Sequence, residues 1–286
     1  MTIDLQSRRI TLVGATGSLG SEILSALLAS GIHHVSVIAR PTTSKGFDDR
    51  VTVHHADFED VPALDVLIMA LNPESYPRQI PPIRAAAEAQ VRYIVPTEFG
   101  SDPTHETLNR EIFLARMQTP FRSLIEELGV SSWIGVVNGL FFDFNIRNGF
   151  WGLDLQNRKV MLYDDGQVKI NTSTLSMPEP FVRKHRNNWV FFSSFLVSQL
   201  DVFESAMRVS GTQEADWEVV KVNAKLAAEN AKKSMQRGDQ MAIFRLLFAL
   251  TFQEGFGSDF SRRLIDYQEM EMAAPCLDDV VKKLME

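Results

Sequence analysis

The chain has 286 residues, of which 45% are hydrophobic and 23% charged, and its formal net charge at pH 7 is −7. This composition supplies a sizeable core, and the negative charge argues against nucleic acid as a partner. The single cysteine, Cys276, excludes an internal disulfide, and no Cys or His spacing indicates a metal site. The first nine residues lack the apolar core of a secretory signal and no apolar run could span a bilayer, so we expect a cytoplasmic protein without membrane contact.

The first predicted element is a strand over residues 10–13 that leads into a glycine-rich turn and then a helix. Gly14, Gly17 and Gly20 have the spacing G-x-x-G-x-x-G. The first glycine permits a tight turn, the second lets a phosphate approach the backbone, and the third lets the helix pack on the strand. The helix start adds free N–H groups and a partial positive charge. The motif predicts a dinucleotide-binding loop, with an ordinary strand-to-helix turn as the alternative. The residues of this predicted loop are Gly14, Ala15, Thr16, Gly17, Ser18, Leu19 and Gly20.

The second predicted strand, residues 34–39, ends at Arg40 and offers no carboxylate. In NAD-binding proteins of this class an acidic residue at that place holds the ribose 2′-hydroxyl. Arg40 can instead pair with a 2′-phosphate, and Lys45 can add a second positive charge, so these residues predict NADP. The alternative is a solvated basic loop. After the third strand, Asp57 could face the adenine.

Strand-like and helix-like patterns alternate through the first half of the chain. The further strands predicted there are 51–55, 66–69, 93–95 and 133–137, and the helices are 18–30, 83–90 and 106–128. Pro120 lacks a backbone N–H, so the last of these helices should kink or restart near it, and Gly129 should end it. The alternation is typical of an α/β fold of the Rossmann type, with a doubly wound parallel sheet.

After about residue 148 short strands mix with turns and are followed by helices. The strands predicted in this half are 160–163, 168–170 and 189–192, and the helices are 195–209, 216–237 and 239–252. We therefore predict an NADP-binding Rossmann domain over residues 1–148 and a smaller α+β substrate-binding region over residues 149–286, with segments that can interleave.

Three features together resemble one protein family. They are the glycine loop, Arg40 at the end of the second strand, and the segment Val91-Arg92-Tyr93-Ile94-Val95-Pro96-Thr97-Glu98-Phe99-Gly100-Ser101-Asp102. With these features the chain resembles the isoflavone reductase-like and NmrA-like family, a branch of the atypical short-chain dehydrogenases, and its fungal members in particular. The similarity continues through Val137-Asn138-Gly139-Leu140-Phe141 and covers most of the chain.

The resemblance implies an NADPH cofactor and a small aromatic substrate. It implies that Pro96 and Thr97 lie near the nicotinamide, with the Thr97 hydroxyl in place of the usual serine, and that Asn138 borders the same cleft. It also implies an NADP-dependent oxidoreductase that transfers a hydride to an aromatic or polyketide-like secondary metabolite.

One departure from the family pattern concerns its catalytic lysine. Reductases of this family place a lysine on the helix after the Glu-Phe-Gly segment, where it acts as a general acid or base or polarises the substrate. That position falls at Gln118 here, or at Arg116 after a two-residue shift. Gln118 can donate a hydrogen bond but cannot transfer a proton near neutral pH, and Arg116 stays protonated. The expected proton-transfer group is therefore missing.

The catalytic candidates are Gln118, His105 and Glu98. The ordinary pKa of histidine suits proton transfer, although His105 also fits an exposed loop or a helix start. Glu98 could act as a base or be structural, and Tyr163 is a weaker candidate.

Three functions fit the sequence. The first is an NADPH-dependent reductase, with a proton from His105 or from water held by Gln118. The second is a non-redox isomerase, cyclase or dehydratase on the same scaffold. The third is a regulator that senses NADP(H) without chemistry and passes its state to a protein partner. The oligomeric state stays open.

Overall fold

The computed structural model describes residues 7–44, 46–55, 64–112, 117–175, 185–256, 258–265 and 274–286. The chain divides into two compact units that interleave in sequence. The first unit consists of Met1–Phe99, Arg116–Val137 and Leu175–Val190, and the second of Gly100–Ala115, Asn138–Thr174 and Phe191–Glu286. The domain boundary expected near residue 148 stays a prediction.

The strands within the described residues are β1 (Arg9–Val13), β2 (His34–Ala39), β3 (Thr52–His55), β4 (Val66–Met69), β5 (Tyr93–Val95), β6 (Phe99–Gly100), β7 (Ser132–Val137), β8 (Leu140–Phe141), β9 (Leu153–Asp154), β10 (Lys159–Tyr163), β11 (Ile170–Ser173), β12 (Asn188–Phe191), β13 (Phe195–Val197) and β14 (Glu218–Val222). The α-helices are α1 (Ser18–Ser30), α2 (Ile80–Glu88), α3 (Glu106–Glu111), α4 (Thr119–Leu128), α5 (Phe142–Arg147), α6 (Gln199–Ser210), α7 (Ala224–Gln236), α8 (Ala242–Thr251) and α9 (Leu277–Met285). Short 3₁₀ helices cover Pro73–Gln79, Glu214–Asp216 and Ser261–Arg263.

The main sheet has the strand order β12-β7-β5-β4-β1-β2-β3, with β6 paired to β7. The pairs from β3 through β2, β1, β4 and β5 to β7 are parallel. The chain passes from β1 to β2 and β3 on one side and then returns to β4 and β5 on the other, so the strand order reverses beside β1. Ligands of doubly wound sheets bind beyond the carboxyl ends of the strands at such a reversal. The predicted Rossmann-type fold is confirmed.

Two helices of the first unit have the ends that the sequence predicts. Helix α1 covers Ser18–Ser30, as predicted, and buries Ile23, Leu24 and Leu27. Helix α4 starts at Thr119 with Pro120 in its first turn, where a missing N–H costs no helical hydrogen bond. It ends at Gly129, whose φ of 68° is the left-handed conformation that glycine adopts freely. The predicted restart and stop are both confirmed.

The second unit contains two small three-stranded sheets, ordered β14-β10-β9 and β13-β11-β8. Its core is aromatic, and Trp151, Phe142, Phe203 and Phe252 are fully buried there. The ring of Trp151 meets those of Phe142 and Phe252 edge to face, with centroids 5.3 Å away in each case. Such pairs add to the stabilisation from burial.

Three predictions in this half were wrong in part. Residues 195–197 are strand β13, and the helix starts only after Ser198, which caps α6 together with Asp201. The segment Glu218–Val222 is strand β14, paired in parallel with β10, and not the first part of a helix. The strand expected over 168–170 is β11 at Ile170–Ser173. Short strands depend on partners that lie far away in sequence, and local patterns do not contain that information.

Candidate functional site

The glycine loop lies at the carboxyl end of β1, beside the point where the strand order reverses. Gly14 has a φ of +89°, and a Cβ atom added there would lie 2.1 Å from the Ala70 carbonyl oxygen. A Cβ atom on Gly20 would lie 2.1 Å from the Gly14 carbonyl oxygen. Only glycine fits at these two positions, because the loop runs directly against the end of β4 and against the first turn of α1.

Gly17 is different from the other two glycines. An added Cβ atom would meet only the Gly14 carbonyl oxygen, at 3.4 Å, which is an ordinary contact. Gly17 is the N-cap of α1, and no side chain caps this helix start. Thr16, Gly17 and Ser18 are exposed. The loop therefore presents the uncapped N–H groups of α1 to solvent, as an anion-binding helix start does.

Arg40 lies at the same edge of the sheet, one strand away. Val13 of β1 pairs with Ile38 of β2, so the glycine loop and Arg40 both follow the carboxyl ends of adjacent strands. The Arg40 side chain is exposed. Lys45 and Asp57, which the sequence also placed near this end of the cofactor, lie outside the described residues.

Thr97 joins the ends of strands β4 and β5. Its Oγ1 donates a hydrogen bond to the Met69 carbonyl oxygen at 3.0 Å and accepts one from the Leu71 backbone N–H at 3.3 Å. Thr97 is only 6% exposed. The hydroxyl is thus used to hold the two strand ends together, and the same edge of the sheet positions Pro96, which is also buried.

Two buried glutamines, Gln79 and Gln118, are linked to Thr97 by successive hydrogen bonds. The Thr97 backbone N–H donates to Gln79 Oε1 at 2.9 Å, and Gln79 Nε2 donates to Gln118 Oε1 at 3.1 Å. Gln79 lies at the end of the 3₁₀ helix Pro73–Gln79, and Gln118 is the N-cap of α4. Gln118 Nε2 is buried and makes no hydrogen bond of regular geometry with any described residue. Such an unpaired buried donor is uncommon in folded proteins and marks the position as unusual.

Tyr76 is the polar group beside this amide. Burial raises the pKa of the Tyr76 phenol, the nearby Gln118 side chain lowers it in part, and the negative charge of Glu98 raises it further. Tyr76 was not predicted from the sequence. Its place in the segment after β4, beside the reversal of strand order, is the signal that could have identified it.

Glu98 forms an ion pair with Arg122 inside the first unit. Glu98 is 8% exposed, and burial raises its pKa, while the Arg122 guanidinium partly opposes that rise. The Arg122 guanidinium lies 4.7 Å from the centroid of the Trp189 ring and 5.7 Å from that of Trp133. This carboxylate has a charged partner enclosed by two indoles, which suits a structural role. A catalytic role for Glu98 stays a prediction.

His105 and Asn138 belong to the second unit. His105 is the N-cap of α3, and its Nδ1 accepts from the Leu108 backbone N–H at 3.4 Å, as expected for a helix-start residue. The Asn138 and Gly139 backbone N–H groups both donate to the Gly100 carbonyl oxygen, and Asn138 Oδ1 is buried without a hydrogen bond to the described residues. The catalytic role of His105 and the cofactor contact of Asn138 stay predictions.

Comparison with known proteins places these features in context. No protein-family model matches the chain. The chain is 28% identical over 284 residues to oxidoreductase aprR of Aspergillus flavus, covering 91% of each protein. It is 29% identical over 194 residues to pinoresinol reductase 2 of Arabidopsis thaliana, covering 58% of this chain and 60% of that protein. The chain is therefore similar in sequence to a fungal oxidoreductase and to a plant pinoresinol reductase.

Solved structures agree on the fold of this chain. The structure of AtPrR2 with NADP⁺ and (+)pinoresinol has a TM-score of 0.76 at 20% identity, covering 98% of this chain and 99% of that one. The binary complex of leucoanthocyanidin reductase with NADPH from Vitis vinifera has a TM-score of 0.72 at 15% identity, covering 97% and 99%. The resemblance to this family and the fold inferred from the motifs are confirmed.

Two further features of the described residues concern metal ions and membranes. Across the described ranges, no group of three or more His, Cys, Asp or Glu side chains is arranged to hold a metal ion. In the same ranges, no helix has both the length and the apolar character needed to cross a membrane. Arg116, the alternative position for the family lysine, lies outside the described residues, and Gln118 occupies the buried position described above.

Proposed function

We propose that this protein is an NADP-dependent oxidoreductase that reduces a small aromatic or polyketide-like metabolite with NADPH. The relatives support it, because the fungal one is named an oxidoreductase and the plant ones are named reductases. The observation within this chain that carries the proposal is the uncapped, exposed start of α1 at Gly17.

The residues at the edge of the sheet fit an NADP molecule. The Gly17 position leaves room where a side chain would otherwise project, and the α1 N–H groups suit a pyrophosphate. The exposed Arg40 guanidinium suits the 2′-phosphate, since a guanidinium pairs with phosphate in two parallel hydrogen bonds. Lys45 is proposed as a further contact because of its positive charge, and Asn138 is proposed by resemblance alone.

NADPH, when bound, supplies the hydride, so the protein must orient the substrate, exclude water and polarise the reacting bond. Thr97 holds the ends of β4 and β5 at fixed positions through its hydroxyl. Pro96 beside it is proposed to border the nicotinamide. Gln118 cannot supply a proton, and we propose that protons reach the substrate from water or from His105.

The glutamine at the lysine position also favours a second candidate. A chain that binds NADP(H) but lacks a proton donor could sense the cofactor and signal to a protein partner. A non-redox isomerase, cyclase or dehydratase on the same scaffold is a further alternative. These functions predict different outcomes in one experiment.

The test combines purified protein, NADPH and a panel of conjugated aromatic ketones. A reductase gives loss of the nicotinamide absorbance together with reduced product. Tight binding of NADPH without turnover, with a protein that co-purifies, favours the sensor. Product without consumption of NADPH favours the non-redox enzyme. Gln118→Lys should increase reductase activity if residue 118 occupies the position of the family lysine.

A further inference from the structure

Strands β2 and β3 end side by side at the edge of the main sheet. β3 is the last strand of that sheet, and it runs parallel to β2 with Ala39 opposite His55. Arg40 follows Ala39 directly, so Arg40 and His55 both lie at the carboxyl ends of their strands. The glycine loop follows β1 at this same edge, where ligands of doubly wound sheets bind.

A backbone carbonyl connects these two residues. The Arg40 carbonyl oxygen accepts the Thr43 N–H at 2.9 Å, which closes a turn, and His55 Nδ1 lies 3.5 Å from the same oxygen. A carbonyl oxygen only accepts, so the proton of the neutral imidazole belongs on Nδ1 in this contact. His55 makes no other hydrogen bond with the described residues. Its Nε2, on the other side of the ring, is therefore the nitrogen left for a ligand.

The charge at these strand ends is open to solvent. Arg40 and His55 are both exposed, and neither forms an ion pair with a described residue. Other ionisable groups described on β2, β3 and the segment between them lie away from this end, and they are His34, Asp48, Asp49, Arg50 and His54. The first begins β2, the next three precede β3, and His54 faces the other side of the sheet because successive side chains of a strand alternate. A guanidinium and an imidazole thus lie together where no described carboxylate neutralises them.

We propose that His55 is a second residue that determines specificity for NADP, and that its imidazolium form binds the 2′-phosphate together with Arg40. The inference rests on the proposed binding of NADP at this edge of the sheet. An imidazolium has an N–H on both nitrogens, so Nδ1 keeps the Arg40 carbonyl while Nε2 donates to the phosphate. A phosphate monoester carries close to two negative charges at neutral pH, which favours the charged ring. NADP therefore binds with uptake of a proton, and NAD, which lacks the 2′-phosphate, does not.

The first experiment compares the affinities for NADP⁺ and NAD⁺ by calorimetry at about pH 6, where an ordinary imidazole is mostly charged. His55→Gln keeps an amide N–H for the Arg40 carbonyl but cannot carry a charge. Its affinity for NADP⁺ should fall about 10-fold, whereas its affinity for NAD⁺ should stay unchanged and thereby show that the variant is folded. The control His34→Gln, at the opposite end of β2, should alter neither affinity. An unchanged NADP⁺ affinity in His55→Gln, or an equal loss for both coenzymes, contradicts the proposal.

The second experiment follows the ratio of NADP⁺ affinity to NAD⁺ affinity as the pH is raised. Two groups change charge with opposite effects. The 2′-phosphate loses its second proton near about pH 6, which strengthens binding, while an imidazolium beside a phosphate loses its proton above about pH 6.5, which weakens binding. The ratio should therefore rise and then fall with the unaltered protein, and it should rise to a plateau with His55→Gln. A plateau with the unaltered protein as well would overturn the role of His55.

Proton uptake separates this inference from the proposed function. Calorimetry in two buffers of different ionisation enthalpy counts the protons that bind with the coenzyme. At about pH 7.5 the phosphate is already almost fully ionised, so a proton taken up with NADP⁺ binds to the protein. We expect uptake with the unaltered protein and NADP⁺, and none with NAD⁺ or with His55→Gln. Failure of the unaltered protein to bind NADP⁺ would refute the proposed function, whereas a preference for NADP⁺ without proton uptake would refute the role of His55 alone.

Discussion

Gly135 and Trp189 are in direct contact: a Cβ atom added to Gly135 would lie 2.2 Å from two carbon atoms of the Trp189 ring. The Trp189 ring in turn lies 5.1 Å from the Trp133 ring and 4.7 Å from the Arg122 guanidinium, measured to ring centroids. Arg122 holds Glu98, which follows directly after Thr97. A glycine in strand β7 is therefore connected by packing to the segment that positions the candidate site.

Gly135→Ala should destabilise the protein by about 1–3 kcal/mol, because an added methyl group forces the indole out of its place. Urea unfolding at constant pH measures this loss. Gly46→Ala is the matched control, since nothing lies within 4 Å of an added Cβ atom there and its φ is not positive. Equal stability of Gly135→Ala and the unaltered protein would show that Trp189 is free to move.

Gly17→Ala should mainly weaken NADPH binding, whereas Gly20→Ala should mainly lower the stability of the fold. At Gly17 an added Cβ atom meets one oxygen at 3.4 Å, so the loss of stability should be about 1 kcal/mol or less. The methyl group would project where we propose the pyrophosphate, so NADPH affinity should fall about 10- to 100-fold. Gly20→Ala should lower the unfolding free energy itself, because its Cβ atom would meet backbone at 2.1 Å. Calorimetric binding and thermal unfolding of both variants check these expectations.

Arg40→Ala should weaken NADPH binding about 10- to 100-fold, since a charge-assisted hydrogen bond contributes about 1.5–3 kcal/mol. NADH lacks the 2′-phosphate, so the affinity of the protein for NADH should change little. The ratio of NADPH affinity to NADH affinity should therefore decrease. Titration of each nicotinamide form against each variant measures this. Arg84→Ala, an exposed arginine on α2, should leave both affinities unaltered. Equal affinity of the unaltered protein for NADPH and NADH would contradict the assignment of Arg40.

The ionisation of Glu98 should make the free energy of unfolding fall as the pH rises above the ordinary pKa of a glutamate side chain. Its pKa in the folded protein is raised from 4.5, chiefly by burial, so the native state binds a proton more readily than the unfolded chain does. Its contribution is therefore fully present below 4.5 and is lost as pH rises through the raised pKa. Glu98→Gln should flatten this part of the profile in urea unfolding measured at a series of pH values. An unchanged slope in Glu98→Gln would mean that Glu98 ionises as easily in the folded protein as in the unfolded chain.

The glycine loop and the alternation of strands and helices were readable from the sequence because their causes are local. Gly20 is required by contact with the Gly14 backbone, which lies in the same strand–turn–helix unit, whereas the backbone that excludes a side chain at Gly14 is that of Ala70 at the end of β4. The restart of the helix at Pro120 and its end at Gly129 follow from the chemistry of single residues. The strand β14 was missed because its partner β10 lies in a distant part of the chain.

The amino-acid sequence by itself indicated the alternation of strands and helices that builds the parallel sheet, the glycine-rich turn and the basic residue at the second strand end, since each of these patterns lies in residues that are close together along the chain. The chain of hydrogen bonds from Thr97 through Gln79 to Gln118 was decided only by the tertiary structure. These residues come from the segments after β4 and β5 and from the start of α4, and no spacing along the chain records that their side chains meet. A hydrogen bond acts over a few ångströms of space, so the partners of a buried amide become visible only when the strands and helices that hold them have packed together.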